Sequence, residues 1–157
     1  MDERPVRSQE TLLWAGAVAT AAAALFFPKV EGVRNGDEPL WKLILFFVPS
    51  DVEGVILIPL VVLLVIGVFG LVGRWAWRDD GLRNRPARVG LVCGVLGFVG
   101  VLAFFVSAPI VLGGLGLTLA VEGRRQAPTE GRGGEAIAAI VVSAAAVLVG
   151  AGIWAFA

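Results

Sequence analysis

The sequence lacks the residues on which most protein chemistry depends. It contains no histidine and no tyrosine, and Cys93 is the only cysteine among 157 residues. Histidine is the commonest metal ligand and the side chain best suited to acid–base catalysis near neutral pH. A lone cysteine can form neither an intramolecular disulfide nor a cysteine-based metal site. We therefore expect no cofactor, no metal and no enzymatic activity.

Charged residues are also scarce, at 17% of the chain, and 13 lysines and arginines balance 13 aspartates and glutamates. Because the net charge is zero, bulk electrostatics gives no reason to expect a nucleic-acid partner. Asp79 and Asp80 form the only close aspartate pair, but the neighbouring arginines favour a solvated, charge-balanced turn over a divalent-cation site.

Apolar residues dominate what remains. They make up 57% of the chain, and the mean hydropathy is +0.85. An ordinary soluble domain is roughly 45–50% apolar even when glycine is counted. This composition predicts an integral membrane protein whose principal partner is the lipid bilayer.

The apolar segments predict an all-α, polytopic helical bundle that forms a single membrane domain over residues 1–157. A transmembrane helix needs about 20 apolar residues. Four full transmembrane helices are predicted, at residues 11–27, 54–73, 89–106 and 136–157. The apolar run 89–121 is too long for one upright helix, so residues 109–123 are predicted as a short returning or re-entrant helix. Five crossings, or four with a re-entrant segment, remain open.

The distribution of basic residues predicts the orientation. With this topology, ten lysines and arginines fall on the side of the N-terminus and three fall on the other side. Cytoplasmic loops are enriched in basic residues, so we expect the N-terminus to be cytoplasmic. We also expect the predicted spans to hold no ionisable side chain, which argues against proton relays and ion-coupled transport.

The outer loop, residues 28–53, is the largest polar excursion and contains a predicted interfacial helix at residues 39–48. This segment is too short to span a membrane but long enough to lie at its surface. Trp41, Phe46 and Phe47 are therefore candidates for docking a partner. The alternative is a helix that only covers the outer end of the bundle.

Glycines recur at helical spacing and are the main candidates for helix packing. They let a second backbone approach closely, which favours association between membrane helices. The candidate packing residues are Gly67, Gly70, Gly73, Gly90, Gly94, Gly97 and Gly100. This pattern predicts a tightly packed bundle, with a homo-oligomer or a larger membrane protein complex as the possible assembly.

The C-terminal half, from Pro86 to the end, resembles a known family. The resemblance is carried by GLVCGVLGFVGV (90–101), PIVLG (109–113), Arg124-Arg125, and a glycine-rich linker leading into AIAAIVV (136–142). These features are similar to small actinobacterial-type membrane proteins of unknown function, which have a glycine-rich hairpin and a GRGxAIAGIVLG-like last helix. Ala139 and Ser143 replace glycines of that pattern, and Glu135 adds a charge. The resemblance implies a bacterial membrane protein and brings no activity with it.

These features together predict a non-enzymatic membrane protein that acts by helix packing, as an accessory subunit, an assembly factor or a scaffold. Two alternatives remain open. One is a small transporter or channel, which would need a polar path through the bundle. The other is an envelope sensor that uses the outer-loop helix.

Overall fold

A computed structural model describes residues 4–37, 39–40, 52–77, 84–100 and 108–156, and its regular structure within these ranges is entirely helical. The prediction of an all-α fold is confirmed. From residue 41 onward, the predicted interfacial helix lies outside the described residues, as do its docking candidates Trp41, Phe46 and Phe47. Asp79 and Asp80 also lie outside them.

The helices follow the apolar segments of the sequence. The first is α1 (Arg4–Arg34). Next, α2 (Val52–Val68) continues through a π-helical turn (Phe69–Gly73) into the short α3 (Arg74–Ala76). The last three helices are α4 (Arg85–Gly100), α5 (Ala108–Glu130) and α6 (Gly133–Phe156).

Three helical stretches are long and apolar enough to cross a membrane. They are Ser8–Glu31, Ile58–Ala76 and Gly133–Ile153. The protein therefore has membrane-protein character. Helices α4 and α5 are not among these stretches: the structure describes only 16 residues of α4, and charged or polar residues occupy the last third of α5.

Two helices, α1 and α5, run well past the C-terminal ends predicted for them. The first predicted span ends at Pro28, yet α1 continues to Arg34. A proline removes one backbone hydrogen bond, which membrane helices tolerate. The helix ends two residues before Gly36, whose left-handed φ of 81° turns the chain away from the helix axis. In the same way, α5 does not end near Gly123 but runs to Glu130 and stops at Gly131, with a φ of 80°.

Contacts between α1 and α5 show that the two helices are antiparallel. Gly16 faces Thr118, and Thr20 faces Gly114. As α1 advances by four residues, its partner on α5 moves back by four. Each threonine side chain fills the space left by a glycine on the other helix, so the contact is reciprocal.

The remaining helices alternate in direction around α5. In α4, Gly90 lies against Gly116 and Gly97 against Gly113, so α4 is antiparallel to α5. Gly94 lies against Ser143 and Gly97 lies against Ala146. The contact thus advances in the same direction along both helices, so α4 is parallel to α6. Gly73 lies against Leu13 and Gly70 against Trp14, so the contact moves forward along α1 as it moves back along the π-helical turn, and α1 and α2 are antiparallel.

This alternation brings the start of α1, the end of α2–α3, the start of α4 and the α5–α6 turn to one end of the bundle. We call it the arginine-rich end. Its described arginines are Arg4, Arg7, Arg74, Arg85, Arg88, Arg124, Arg125 and Arg132.

Candidate functional site

Small residues line the seam where α4, α5 and α6 meet. Along α6 the fully buried positions are Ala136, Ala139, Ser143 and Ala146, spaced three and four residues apart on one helical face. Ser143 sits at the centre of the seam, where its Oγ lies 3.4 Å from the carbonyl oxygen of Gly90. The three backbones consequently approach more closely than larger side chains would allow.

The predicted packing glycines do not share one environment. Gly90, Gly94 and Gly97 are buried on the face of α4 that contacts α5 and α6. The space beside Gly67 is open, since a methyl group added there would have no atom within 4 Å, and one added to Gly70 would meet only the ring of Trp14, at 3.9 Å.

The other two members of this set lie elsewhere. Gly73 is buried at the end of the π-helical turn, where an added methyl group would lie 2.5 Å from Leu13 Cδ1. Gly100 is the last residue of α4.

A buried polar junction lies at the arginine-rich end, and Asn84 is its first component. Asn84 is fully buried and has a φ of 49°. Its Nδ2 donates to the carbonyl oxygens of Gly123, at 2.9 Å, and Gly131, at 2.8 Å. Its backbone N–H donates to Glu130 Oε2 at 2.5 Å. Its Oδ1 lies 3.4 Å from the N–H of Ala87, where it caps the start of α4. The Asn84 side chain thus connects the start of α4 to α5 at Gly123 and to the α5–α6 turn at Gly131.

Glu122 is the second component of the polar junction. It is only 5% exposed. Its Oε1 accepts hydrogen bonds from Gln9 Nε2 of α1, at 2.9 Å, and from Gln126 Nε2, at 3.1 Å. Its Oε2 lies 3.8 Å from the guanidinium of Arg125, which is exposed. The carboxylate therefore links α1 to α5 and satisfies two amide donors.

Glu122 overturns the expectation that the predicted spans hold no ionisable side chain, because it lies within the predicted short helix, residues 109–123. The sequence signal for it is a single acid at the polar end of an apolar run, followed by Arg124 and Arg125. Its partner Gln9 is 113 residues away. No local spacing could have indicated that contact.

Surface ion pairs and an aromatic contact surround the polar junction. Arg88 lies 3.6 Å from Glu135 and joins α4 to α6. Arg132 lies 3.1 Å from the same carboxylate. Arg85 is buried, and its guanidinium carbon is 3.8 Å from the centroid of the Trp75 ring. This distance fits a cation–π contact, so α3 is also held at this end.

The polar junction is suited to joining helices. Its two buried polar side chains, Asn84 and Glu122, hydrogen-bond to groups of other elements. Among the described residues no group of three histidine, cysteine, aspartate or glutamate side chains is placed to hold a metal. Cys93 is buried within the helical core. The geometry thus favours a structural connection between four segments of the chain.

Replacing Glu122 tests whether this connection contributes to the free energy of unfolding. Glu122→Leu should lower the free energy of unfolding by about 1–3 kcal/mol, because the amides of Gln9 and Gln126 lose their acceptor. Glu122→Gln should cost less, since a neutral oxygen still accepts from both. Arg125→Gln serves as the control and should change stability by less than about 1 kcal/mol, as an exposed pair does. Unfolding by denaturant in detergent micelles measures all three, and a Glu122→Leu protein as stable as the wild type would contradict the assignment.

Comparison with known proteins does not add to this geometry. No protein-family profile, no curated protein and no solved structure matches the chain. Its function must therefore be argued from its own residues.

Proposed function

We propose that this protein is a non-enzymatic integral membrane protein of the bacterial inner membrane, which acts by helix packing as an accessory subunit, an assembly factor or a scaffold. One observation carries the proposal: many large apolar side chains are exposed on the helix faces, although Phe69, Leu115 and Leu119 are buried, and small residues make most of the closest contacts between α4, α5 and α6.

Helix α6 shows this distribution most clearly. Ile137, Val141 and Leu148 are 49%, 61% and 71% exposed, whereas Ser143 and Ala146 are fully buried. In water, folding would be driven by burying the large side chains. In lipid that driving force is absent, and helices associate through small residues instead. The arrangement therefore suits a bilayer as the solvent.

The alternating helix directions support five crossings, with α4 and α5 forming a hairpin. The arginine-rich end then belongs in the cytoplasm together with the N-terminus. Single cysteines test this orientation in a Cys93→Ala background. In intact cells, a membrane-impermeant maleimide should label Asn35→Cys, at the far end of α1, but not Thr129→Cys. The reverse pattern would refute the orientation.

Tight packing of the seam favours a scaffold over a transporter. A methyl group added to Gly116 would lie 2.8 Å from the carbonyl oxygen of Gly90 and 3.0 Å from the amide nitrogen of Gly94. One added to Gly113 would lie 3.0 Å from the carbonyl oxygen of Ser143. A solute path between these described helices would require them to separate.

Capture from native membranes tests the proposal. The tagged protein, crosslinked before detergent extraction, should bring down one membrane partner, or further copies of itself, in fixed proportion. Gly67→Ala should retain the partner, and a destabilised Gly116→Ala variant should lose it, so that capture reports on the folded bundle. Reconstituted vesicles should show no ion or solute flux above empty vesicles. Robust flux from the folded protein would replace the scaffold proposal with a transporter.

A further inference from the structure

An apolar groove follows one face of α1, beginning at the arginine-rich end. Its volume is about 720 Å³, it is open to the surroundings over most of its surface, and the described residues that line it all belong to α1. The lining residues are Glu10, Thr11, Trp14, Ala15, Val18 and Ala19. At 1.5 Å per residue, this face extends roughly 13 Å along the helix. All of these side chains except Glu10 and Thr11 are apolar or aromatic, so the groove is polar at one end only.

The polar end of the groove carries one anion and one cation. Glu10 Oε1 lies 3.9 Å from Arg74 Nη2, and the two side chains are 56% and 62% exposed. The guanidinium of Arg74 is also 5.9 Å from the centroid of the Trp14 ring. At 3.9 Å the two charges are too far apart for a hydrogen bond. Both therefore retain hydrogen-bonding capacity for a ligand that carries complementary charges.

The π-helical turn of α2 positions this cation. Gly73, the last residue of the turn, is buried against Leu13 of α1, and its lack of a side chain lets the two helices approach. Arg74 follows directly and is thereby held beside Trp14. π-Helical turns are rare and often occur at functional sites.

We propose that this groove binds phosphatidylethanolamine from the bilayer. The primary ammonium of the headgroup would donate to Glu10, the phosphate would accept from Arg74, and an acyl chain would lie along Trp14 and Val18. The proposal rests on the membrane location proposed above. The charge pattern selects this headgroup, because phosphatidylcholine has an ammonium that cannot donate a hydrogen bond and phosphatidylglycerol has no cation. An anionic lipid would also place its charge near Glu10.

Lipid retention measured by native mass spectrometry tests the headgroup assignment. Detergent-purified protein is incubated with equal amounts of phosphatidylethanolamine, phosphatidylcholine and phosphatidylglycerol. The wild type should retain phosphatidylethanolamine about fivefold over either competitor, the ratio expected from roughly 1 kcal/mol of exposed charge pairing. Glu10→Gln and Arg74→Gln should each lose this preference. Arg88→Gln is the matched control, since its ion pair with Glu135 is also exposed and lies away from the groove; it should keep the preference.

Filling the groove tests the acyl-chain assignment. Ala19 is exposed, so Ala19→Phe should fold normally while reducing retention of all three lipids. Equal retention of the three lipids by the wild type would overturn the proposal. An Ala19→Phe protein that retains lipid but no longer self-associates would also overturn the proposal, because the groove would then hold a second copy of the chain and not a lipid. Extraction of the membranes with alkaline carbonate separates the two proposals: a protein that stays in the membrane without a lipid preference refutes only the lipid site.

Discussion

Replacing Gly116 with alanine is expected to destabilise the α4–α5–α6 seam by about 3 kcal/mol, the upper part of the range for overpacking a core. The added methyl group would lie 2.8 Å from the carbonyl oxygen of Gly90 and 3.0 Å from the amide nitrogen of Gly94, and it would also collide with Ser143 Oγ. Two of these three atoms belong to the backbone. Since no rotamer change can move them, the helices themselves must separate.

Gly67→Ala is the matched control for this substitution. It makes the same chemical change inside a membrane-facing helix, but no atom lies within 4 Å of the added methyl group. Alanine is the better helix former by up to about 1 kcal/mol. This variant should therefore unfold at the same denaturant concentration as the wild type or at a slightly higher one. Equal destabilisation by the two variants would show that the seam is not where α4 and α5 are held.

A second substitution separates backbone contacts from side-chain contacts. Ser143→Gly removes the Oγ that meets Gly116 but leaves the α4 backbone in place. In the Gly116→Ala background it should restore only part of the lost stability. Full recovery would show that Ser143, and not the α4 backbone, limits the approach.

The sequence predicts the helical class because apolar segments can cross a membrane only as helices when they form no barrel. Helix ends are harder to predict. Pro28 suggests the end of the first helix, yet α1 continues to Arg34. The helical hydrogen bonds end at Asn35 and Gly36, where Gly36 has a left-handed conformation. A proline changes one hydrogen bond, whereas a positive φ turns the chain away from the helix axis. The second signal is the stronger one.

The site is less predictable because its contacts join distant segments. Gly67 and Gly94 both belong to glycine repeats of three-residue spacing, yet the space beside Gly67 is open and Gly94 lies against Ser143. Spacing fixes which residues share a face, and tertiary packing decides which face is covered. The contact between Gln9 and Glu122 is likewise invisible to local pattern.

Asn84 has the second large expected effect. Asn84→Ala should lower the free energy of unfolding by about 3 kcal/mol or more. Loss of a helix cap costs roughly 1 kcal/mol, and the buried carbonyl group of Gly123 and the part-buried one of Gly131 lose the donors they now have. The backbone adds to the cost, because a φ of 49° disfavours alanine by roughly 1–2 kcal/mol. Asn35→Ala is the control, since Asn35 is exposed and its side chain accepts from the neighbouring Arg34; its effect should stay within about 0.5 kcal/mol.

Two further variants at this position separate the cost of the left-handed backbone conformation from the loss of the side-chain hydrogen bonds. Asn84→Gly keeps the left-handed conformation at little cost and loses only the side chain, so it should be less harmful than Asn84→Ala. Asn84→Asp preserves the shape and the cap but replaces the donor with an oxygen that faces two carbonyl oxygens, so it should be at least as harmful as alanine. Unfolding in detergent, followed by tryptophan fluorescence, gives the order. If aspartate were tolerated and glycine were not, the capping oxygen would be the essential group, and the two bonds to Gly123 and Gly131 would not be what holds α4 to the α5–α6 turn.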